Sequence, residues 1–180
     1  GIKYSLQDMK GNLIMTAENR QAFERSMDML DSSIQEMRRV AHNMMPEVLV
    51  RYGLDAALKD YVAEINKAGL VKIIYQSMGM EGKEMEKSGA LAIYRIVQEL
   101  LNNVIKHAQA TDALVQVFNE NGKLVVNVED NGKGFDTKFS EEKGGMGWRN
   151  IRSRIELLNG KIDLQSSDQS GTAINIEFDL

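Results

Sequence analysis

Apolar residues near the start of the chain recur at Ile2, Leu6, Met9 and Leu13, spaced four, three and four apart. That spacing predicts a heptad seam on a short helix. The polar stretch from Thr16 to Gln21 reads as a turn at which a second helix folds back. A longer seam follows through Phe23, Met27, Leu30, Ile34, Met37, Ala41 and Met44. Pro46 ends it, because proline lacks an N–H and clashes with the preceding turn. Two such seams predict a helical hairpin too thin to fold alone, which pairing with a second copy would complete as a four-helix bundle. The methionines on the seam read as gap-fillers of a helical core.

The pattern changes near Gly53. Leu54, Ala57, Leu58, Tyr61, Val62 and Ile65 mark a helix, and Gly69 supplies its C-terminal stop. Val71 to Met78 reads as a strand, and a long helix is expected from Glu84 to Ala108. Ala113 to Asn119 and Lys123 to Glu129 alternate about Asn121-Gly122, a strong hairpin signal. A glycine-rich loop runs from Asp130 to Gly147, followed by a helix from Trp148 to Leu158 that ends at Asn159-Gly160. Strands at Lys161 to Ser167 and Thr172 to Phe178 flank a turn at Asp168 to Gly171. This order predicts an α+β fold, a two-layer α/β sandwich with a mixed sheet and helices on one face, preceded by the helical hairpin. The expected division is residues 1–50 for the hairpin and 51–180 for the sandwich.

The 180 residues are 43% apolar and 27% charged, which suits a folded domain with a real core. The net charge of −4, with no dominant basic stretch, disfavours nucleic acid as a partner. Without cysteine there are no disulfides or thiolate metal sites. No run of about 18 apolar residues spans a membrane. The start at Gly1-Ile2-Lys3 reads as a piece of something longer, with any sensor or membrane segment upstream.

Four segments carry candidate chemistry. On the long helix, Glu99, Asn103, Lys106 and His107 fall at i, i+4, i+7 and i+8, on one side. Such a side can hold a hydrated Mg ion and the phosphates it bridges, and it also reads as a solvated helix face. Asp130, at a strand end, can accept a hydrogen bond from an exocyclic amine, while Gly132 and Gly134 permit close backbone approach to a ligand. The same residues read as an ordinary tight turn. Gly144-Gly145-Met146-Gly147 precedes a helix and can turn backbone N–H groups toward an anion, or serve as a connector. It lacks the Gly-Lys-Ser/Thr of a P-loop. Thr172, after Ser170-Gly171, can reach a ligand with its hydroxyl or simply begin a strand.

Taken in order, the four resemble the ATP-binding domain shared by gyrase, Hsp90, histidine kinases and MutL. Gln98-Glu99-Leu100-Leu101-Asn102-Asn103-Val104-Ile105-Lys106-His107-Ala108 is similar to that family's N box, and Asp130 to Gly134 to its first glycine box. Gly145-Met146-Gly147 is similar to the second, and Gly171-Thr172 to the closing Gly-Thr. The resemblance spans about Leu54 to Leu180. It implies ATP and Mg as cofactors, with Asn103 ligating Mg and Glu99 polarising a water or the incoming acceptor. It further implies that Lys106 and His107 contact phosphates, that Asp130 reads the adenine amine, and that Gly132 and Gly134 line the base. Gly145 and Gly147 would hinge a lid, and Thr172 would support the adenine end. Trp148 departs from the Leu usual there, and the lid between the boxes is short.

The preceding segment narrows the resemblance. Arg38-Arg39-Val40-Ala41-His42-Asn43-Met44-Met45-Pro46, Leu49 and Gly53-Leu54-Asp55-Ala56-Ala57-Leu58 are similar to sensor histidine kinases that pair with helix-turn-helix response regulators. That subclass implies a cytoplasmic homodimer formed through the hairpin, transfer of the ATP γ-phosphoryl to a His, and onward transfer to a regulator Asp. The acceptor His of that subclass lies on the first hairpin helix. Ile2 to Leu13 contains no His, so the acceptor is expected upstream. His42, near the end of the second helix, reads as a helix-terminal His favoured by the dipole. Two other readings compete: an anti-sigma-factor-like protein serine kinase or non-catalytic ATP-binding relative, and a dimerisation module with a decayed site.

Overall fold

A computed structural model of the chain describes residues 46–81, 85–135 and 146–179, together with residues 16, 19, 20, 23, 24, 26 and 27. Packing divides the chain into two compact units, residues 1–45 and 46–180. The first seam and most of the second lie outside the described residues. In the first unit, the Thr16 hydroxyl accepts the Asn19 N–H at 3.2 Å, and Asn19 and Arg20 are already helical. Thr16 is therefore a helix N-cap, and the turn expected through Gln21 gives way to helix by Asn19.

The second unit opens with α1, Glu47–Ala68. It begins directly after Pro46, and at Gly53 (φ 80°, ψ −176°) the backbone leaves helical geometry, so two helical segments meet at a kink where the sequence predicts a new start. Glycine adopts that left-handed φ without a β-carbon clash. Gly69 closes the helix as expected, its N–H bonding the Asn66 carbonyl. The remaining elements are β1 (Lys72–Met78), α2 (Lys87–Asn103), β2 (Asp112–Glu120), β3 (Lys123–Asp130), α3 (Met146–Leu157), β4 (Lys161–Ser166) and β5 (Thr172–Asp179). At Asn121-Gly122 both residues have positive φ, the backbone of a primed hairpin turn.

The five strands form one mixed sheet in the order β1-β2-β3-β5-β4. β1 and β2 run parallel, joined by the α2 crossover, and the other pairs are antiparallel. Alternate residues of the strands face the helices. Val115 and Val117, Leu124, Val126 and Val128, and Ile174, Ile176 and Phe178 are buried there against Leu58, Ile93, Val97, Leu101 and Ile151. This is the expected two-layer α+β sandwich. α1 lies against β1, α2 against β3 and both other helices, and α3 against β4.

The open face of the sheet carries a polar row. Gln76, Gln116, Asn127, Asn175 and Asp163 stand in register across all five strands. Gln116 Nε2 donates to Gln76 Oε1 at 2.8 Å, and Asn127 Nδ2 to Gln116 Oε1 at 3.2 Å. Two side chains also stitch α1 to β1. Asn66 donates to the Ile73 carbonyl and accepts its N–H, both at 2.8 Å, so a side-chain amide satisfies the edge strand as a neighbouring strand would. Tyr75 Oη donates to Asp55 Oδ1 at 2.9 Å, and Lys59 Nζ to Asp55 Oδ2 at 2.7 Å.

Candidate functional site

α2 presents the first pair of candidate residues. Its apolar side buries Ile93, Ile96, Val97, Leu100 and Leu101, which leaves Glu99 and Asn103 half-buried one turn apart. The α-helix ends at Asn103, and Val104–Ala108 winds as a π-helical turn. Residues advance less per step in the wider turn, so the α-helical register that placed Lys106 and His107 with Glu99 and Asn103 stops at Val104. Lys106 and His107 are exposed on that turn. The Ala108 carbonyl accepts the Lys133 N–H at 2.8 Å, which ties the turn to the loop after β3.

Asp130 is the last residue of β3 and pairs in register with Thr172, the first of β5. Its Oδ1 accepts the Gly132 N–H at 2.8 Å, and the neighbouring Thr172 hydroxyl and N–H favour its charged form. Burial pushes the Asp130 carboxyl above its ordinary value, outweighing these bonds, which pull it down. Thr172 is only 9% exposed. Gly132 sits against the Ala108 carbonyl with no room for a β-carbon, so close approach is what glycine provides there.

The intervening Asn131 points away from this cluster. Its Oδ1 accepts the N–H groups of Thr111 and Asp112, both at 3.0 Å, and its Nδ2 donates to Thr111 Oγ1 at 2.9 Å. Asn131 therefore fixes the start of β2 against the end of β3. The loop continues onto the β4–β5 turn, where the Gln169 N–H donates to the Lys133 carbonyl at 2.6 Å and Gly134 lies against Ser167 and Gly171. The Phe135 N–H donates to Ser166 Oγ at 3.0 Å.

At the other side of the glycine-rich stretch, Gly145 lies outside the described residues. Gly147 is the second residue of α3 and packs against the Glu99 carboxylate. Trp148 is buried, with the Arg152 guanidinium 6.0 Å from its ring centre. α3 begins at Met146, two residues before the expected start, so Gly147 belongs to the helix.

The fold thus makes two groupings: Glu99 with Gly147, and Asp130 with Gly132, Thr172 and the loop through Gly134. Asn103 is carried on the α2 turn that bears Glu99, and Lys106 and His107 follow on the π-helical turn. A cleft of about 480 Å³ opens at the strand ends, lined among others by Asp130, Ser166, Gly171 and Thr172. None of the helical candidates lines it, so it marks only the Asp130–Thr172 half. Two residues passed over in the sequence belong to this half. Asn131 was hidden in ordinary Asn-Gly turn chemistry, and Ser166 in a serine-rich strand end. The pairing of β2 with β3 reveals the first, and that of β4 with β5 the second.

A mixed sheet with helices on one face, an Asp at a strand end answered by a Thr on the neighbouring strand, and glycines at each close approach match the expected ATP-binding domain shared by gyrase, Hsp90, histidine kinases and MutL. The comparisons agree: residues 89–180, just over half of the chain, match the family described as histidine kinase-, DNA gyrase B-, and HSP90-like ATPase, and the chain belongs to that family. It carries a histidine kinase-type ATPase domain. The chain is 32% identical to the sensor histidine kinase ComP of Bacillus subtilis over 85% of its own length and 20% of that protein's. It is 30% identical to the sensor histidine kinase MctS of Rhizobium johnstonii over 96% of its length and 38% of that protein's. The chain therefore spans well under half of these relatives. The histidine kinase domain of the Erythrobacter litoralis blue-light activated histidine kinase superposes with a TM-score of 0.62 at 20% identity, covering 99% of this chain and 94% of that one. Full-length ShkA in complex with AMPPNP gives 0.63 at 15% identity, covering 93% and 40%. These two likenesses show the fold. Among the described residues no helix is long and apolar enough to cross a membrane.

Proposed function

We propose that this domain binds Mg-ATP between the end of α2 and the ends of β3 and β5, and that the whole protein is a sensor histidine kinase. The observation that carries the reading is the Asp130 carboxylate. It is held at a strand end by the Gly132 N–H and by Thr172, in a cleft of a domain whose family is an ATPase family. A partly buried carboxylate so oriented is an acceptor for the adenine amine, and Gly132 and Gly134 leave the base room beside it.

The donor set also fits magnesium. Among the described residues no group of three or more His, Asp or Glu encloses an ion. A nucleotide-borne Mg needs only one or two protein oxygens and keeps several waters. The Asn103 amide oxygen is such a donor, one turn from Glu99. Bound Mg neutralises charge on the phosphates. Lys106 and His107 add donors for phosphate oxygens. Glu99 orients and accepts the proton of the incoming acceptor. Gly145 and Gly147 let the backbone at the start of α3 come close to the phosphates.

In the whole protein the γ-phosphoryl passes to a His on the hairpin of a homodimer, and from there to an Asp of a response regulator with a helix-turn-helix output domain. The printed names of ComP and MctS support the histidine kinase reading over a serine kinase. Neither His42 nor His107 is the acceptor, so this chain binds nucleotide without holding phosphate on either. Stable labelled phosphate on His42 would refute that point.

The binding reading is tested by titrating Mg-ATP while following Trp148, the single tryptophan, on α3 beside Gly147. A saturable change is expected, lost in Asp130→Ala and weakened without Mg. Absence of both heat and fluorescence change at saturating Mg-ATP overturns the reading.

A further inference from the structure

Ser166 ends β4 with its hydroxyl at the junction of three groups. Ser166 Oγ accepts the Phe135 N–H at 3.0 Å, donates to the Gly171 carbonyl at 2.9 Å, and lies 3.1 Å from Thr172 Oγ1. A serine hydroxyl has one proton and two lone pairs, so which way the Thr172 contact runs depends on where the Thr172 proton goes. Thr172 in turn has one hydroxyl proton. A carboxylate is the stronger acceptor for it, and Thr172 stands opposite Asp130 in register, where its hydroxyl favours the charged carboxylate. The Ser166 proton is then shared between the Gly171 carbonyl and Thr172 Oγ1. Both choices restrain Thr172, one at its hydroxyl and the other at the peptide that precedes it. Ser166 thus connects the Phe135 N–H to Thr172, the residue that faces Asp130 across β3 and β5.

We propose that Ser166 is a positioning residue for base recognition: its hydroxyl fixes Thr172 and the Phe135 end of the loop, so that the Asp130 carboxylate keeps the orientation that selects a purine bearing an exocyclic amine. The loop residue before Phe135 reinforces the tie. Gly134, at φ 65°, lies against the Ser167 and Gly171 carbonyls on the same turn. The proposal deepens the Mg-ATP reading and rests on it.

The test compares ATP with inosine triphosphate, which lacks the exocyclic amine, by calorimetry on the 180-residue chain and on Ser166→Ala, Ser166→Cys and Ser166→Thr. Losing a hydrogen bond worth about 1 kcal/mol corresponds to roughly a fivefold change in affinity. Ser166→Ala is expected to weaken ATP by about that factor and inosine triphosphate by less than about twofold. Ser166→Thr, which keeps the hydroxyl, should restore the preference for ATP. Ser166→Cys keeps the size but bonds weakly, should behave as Ala, and stands in if Ser166→Ala fails to fold. A merely structural role would weaken both nucleotides together. A parallel loss, or no loss in either variant, overturns the proposal while leaving ATP binding intact. Failure of the unaltered chain to bind ATP overturns the Mg-ATP reading and this proposal with it.

Discussion

The Glu99 carboxylate lies directly against Gly147, leaving no space for a β-carbon on that glycine. A β-carbon there would also come within 3.2 Å of Glu99 Cδ and 3.6 Å of Cγ. The crowding group is the end of a flexible side chain, so Gly147→Ala is expected to displace Glu99 rather than unfold α3. Alanine is the better helix former by about 1 kcal/mol, and the melting temperature should not fall. ATP turnover in a length of the protein that retains its acceptor should drop at least about tenfold, the scale of losing one positioned proton acceptor. In a Glu99→Ala background the same substitution should cost little more. An equal further loss there would show that Gly147 acts independently of Glu99.

With Asp130 as the proposed acceptor for the base, nucleotide binding is expected to depend on pH in a defined direction. Burial raises its carboxyl above 3.8, and an adenine amine bonds the charged form. Affinity for ATP should therefore fall as the pH drops through the raised value, earlier than for an ordinary carboxylate. The effect on folding has the opposite sign: a raised carboxyl costs stability above its folded pKa, and the cost is relieved as the pH falls through it. Asp130→Asn should abolish the protein's share of both dependences. Calorimetry across a pH series, with tripolyphosphate to correct for phosphate protonation, separates them. The same slope in Asp130→Asn would rule Asp130 out.

Asp55 contributes to stability in the ordinary sense. Burial raises its carboxyl, but bonds from Lys59, Ser77 and Tyr75 together bring it below 3.8. That contribution is present above 3.8 and is lost as the pH falls through the depressed value. Asp55→Ala leaves the Tyr75 hydroxyl in a buried place without its acceptor, at about 1–3 kcal/mol. Adding Tyr75→Phe should recover part of the loss. Urea unfolding of the two single variants and the double variant measures the coupling, and strict additivity would dissolve the pair.

Asn131→Ala removes the acceptor for two backbone N–H groups at once. The expected loss is about 1–2 kcal/mol. Hydrogen exchange at Thr111 and Asp112 should accelerate roughly tenfold, corresponding to about 1.4 kcal/mol of local opening. Unchanged exchange at both amides would show that the carboxamide contributes nothing there.

Much of this architecture was legible in the residues. Alternation set every strand within a residue or two, and Asn121-Gly122 named its own turn. What escaped depends on partners distant in sequence. Nothing local to Val104-Ile105-Lys106-His107-Ala108 announces a π-helical turn, which is anchored by Lys133 twenty-five residues beyond its last member. The short helical segment between Pro46 and the non-helical Gly53 was the part of α1 that the sequence did not announce. Ser166 looked like one serine among several, because its partners lie at the start of β5 and in the loop after β3. Asp130 and Thr172 were found as separate motifs, and their register across β3 and β5 gives them one environment.

That register has a consequence for synthesis. β5 is inserted between β3 and β4, although it follows both in the chain, and β4 has no neighbour other than β5. On the ribosome, β1 to β3 and α2 can assemble as the chain emerges, while β4 waits unpaired. Asp130 gains Thr172 only when the final strand threads into the gap. A chain stalled before Thr172 would present an unfinished sheet and only the β3 side of the cleft that Asp130 and Thr172 line together.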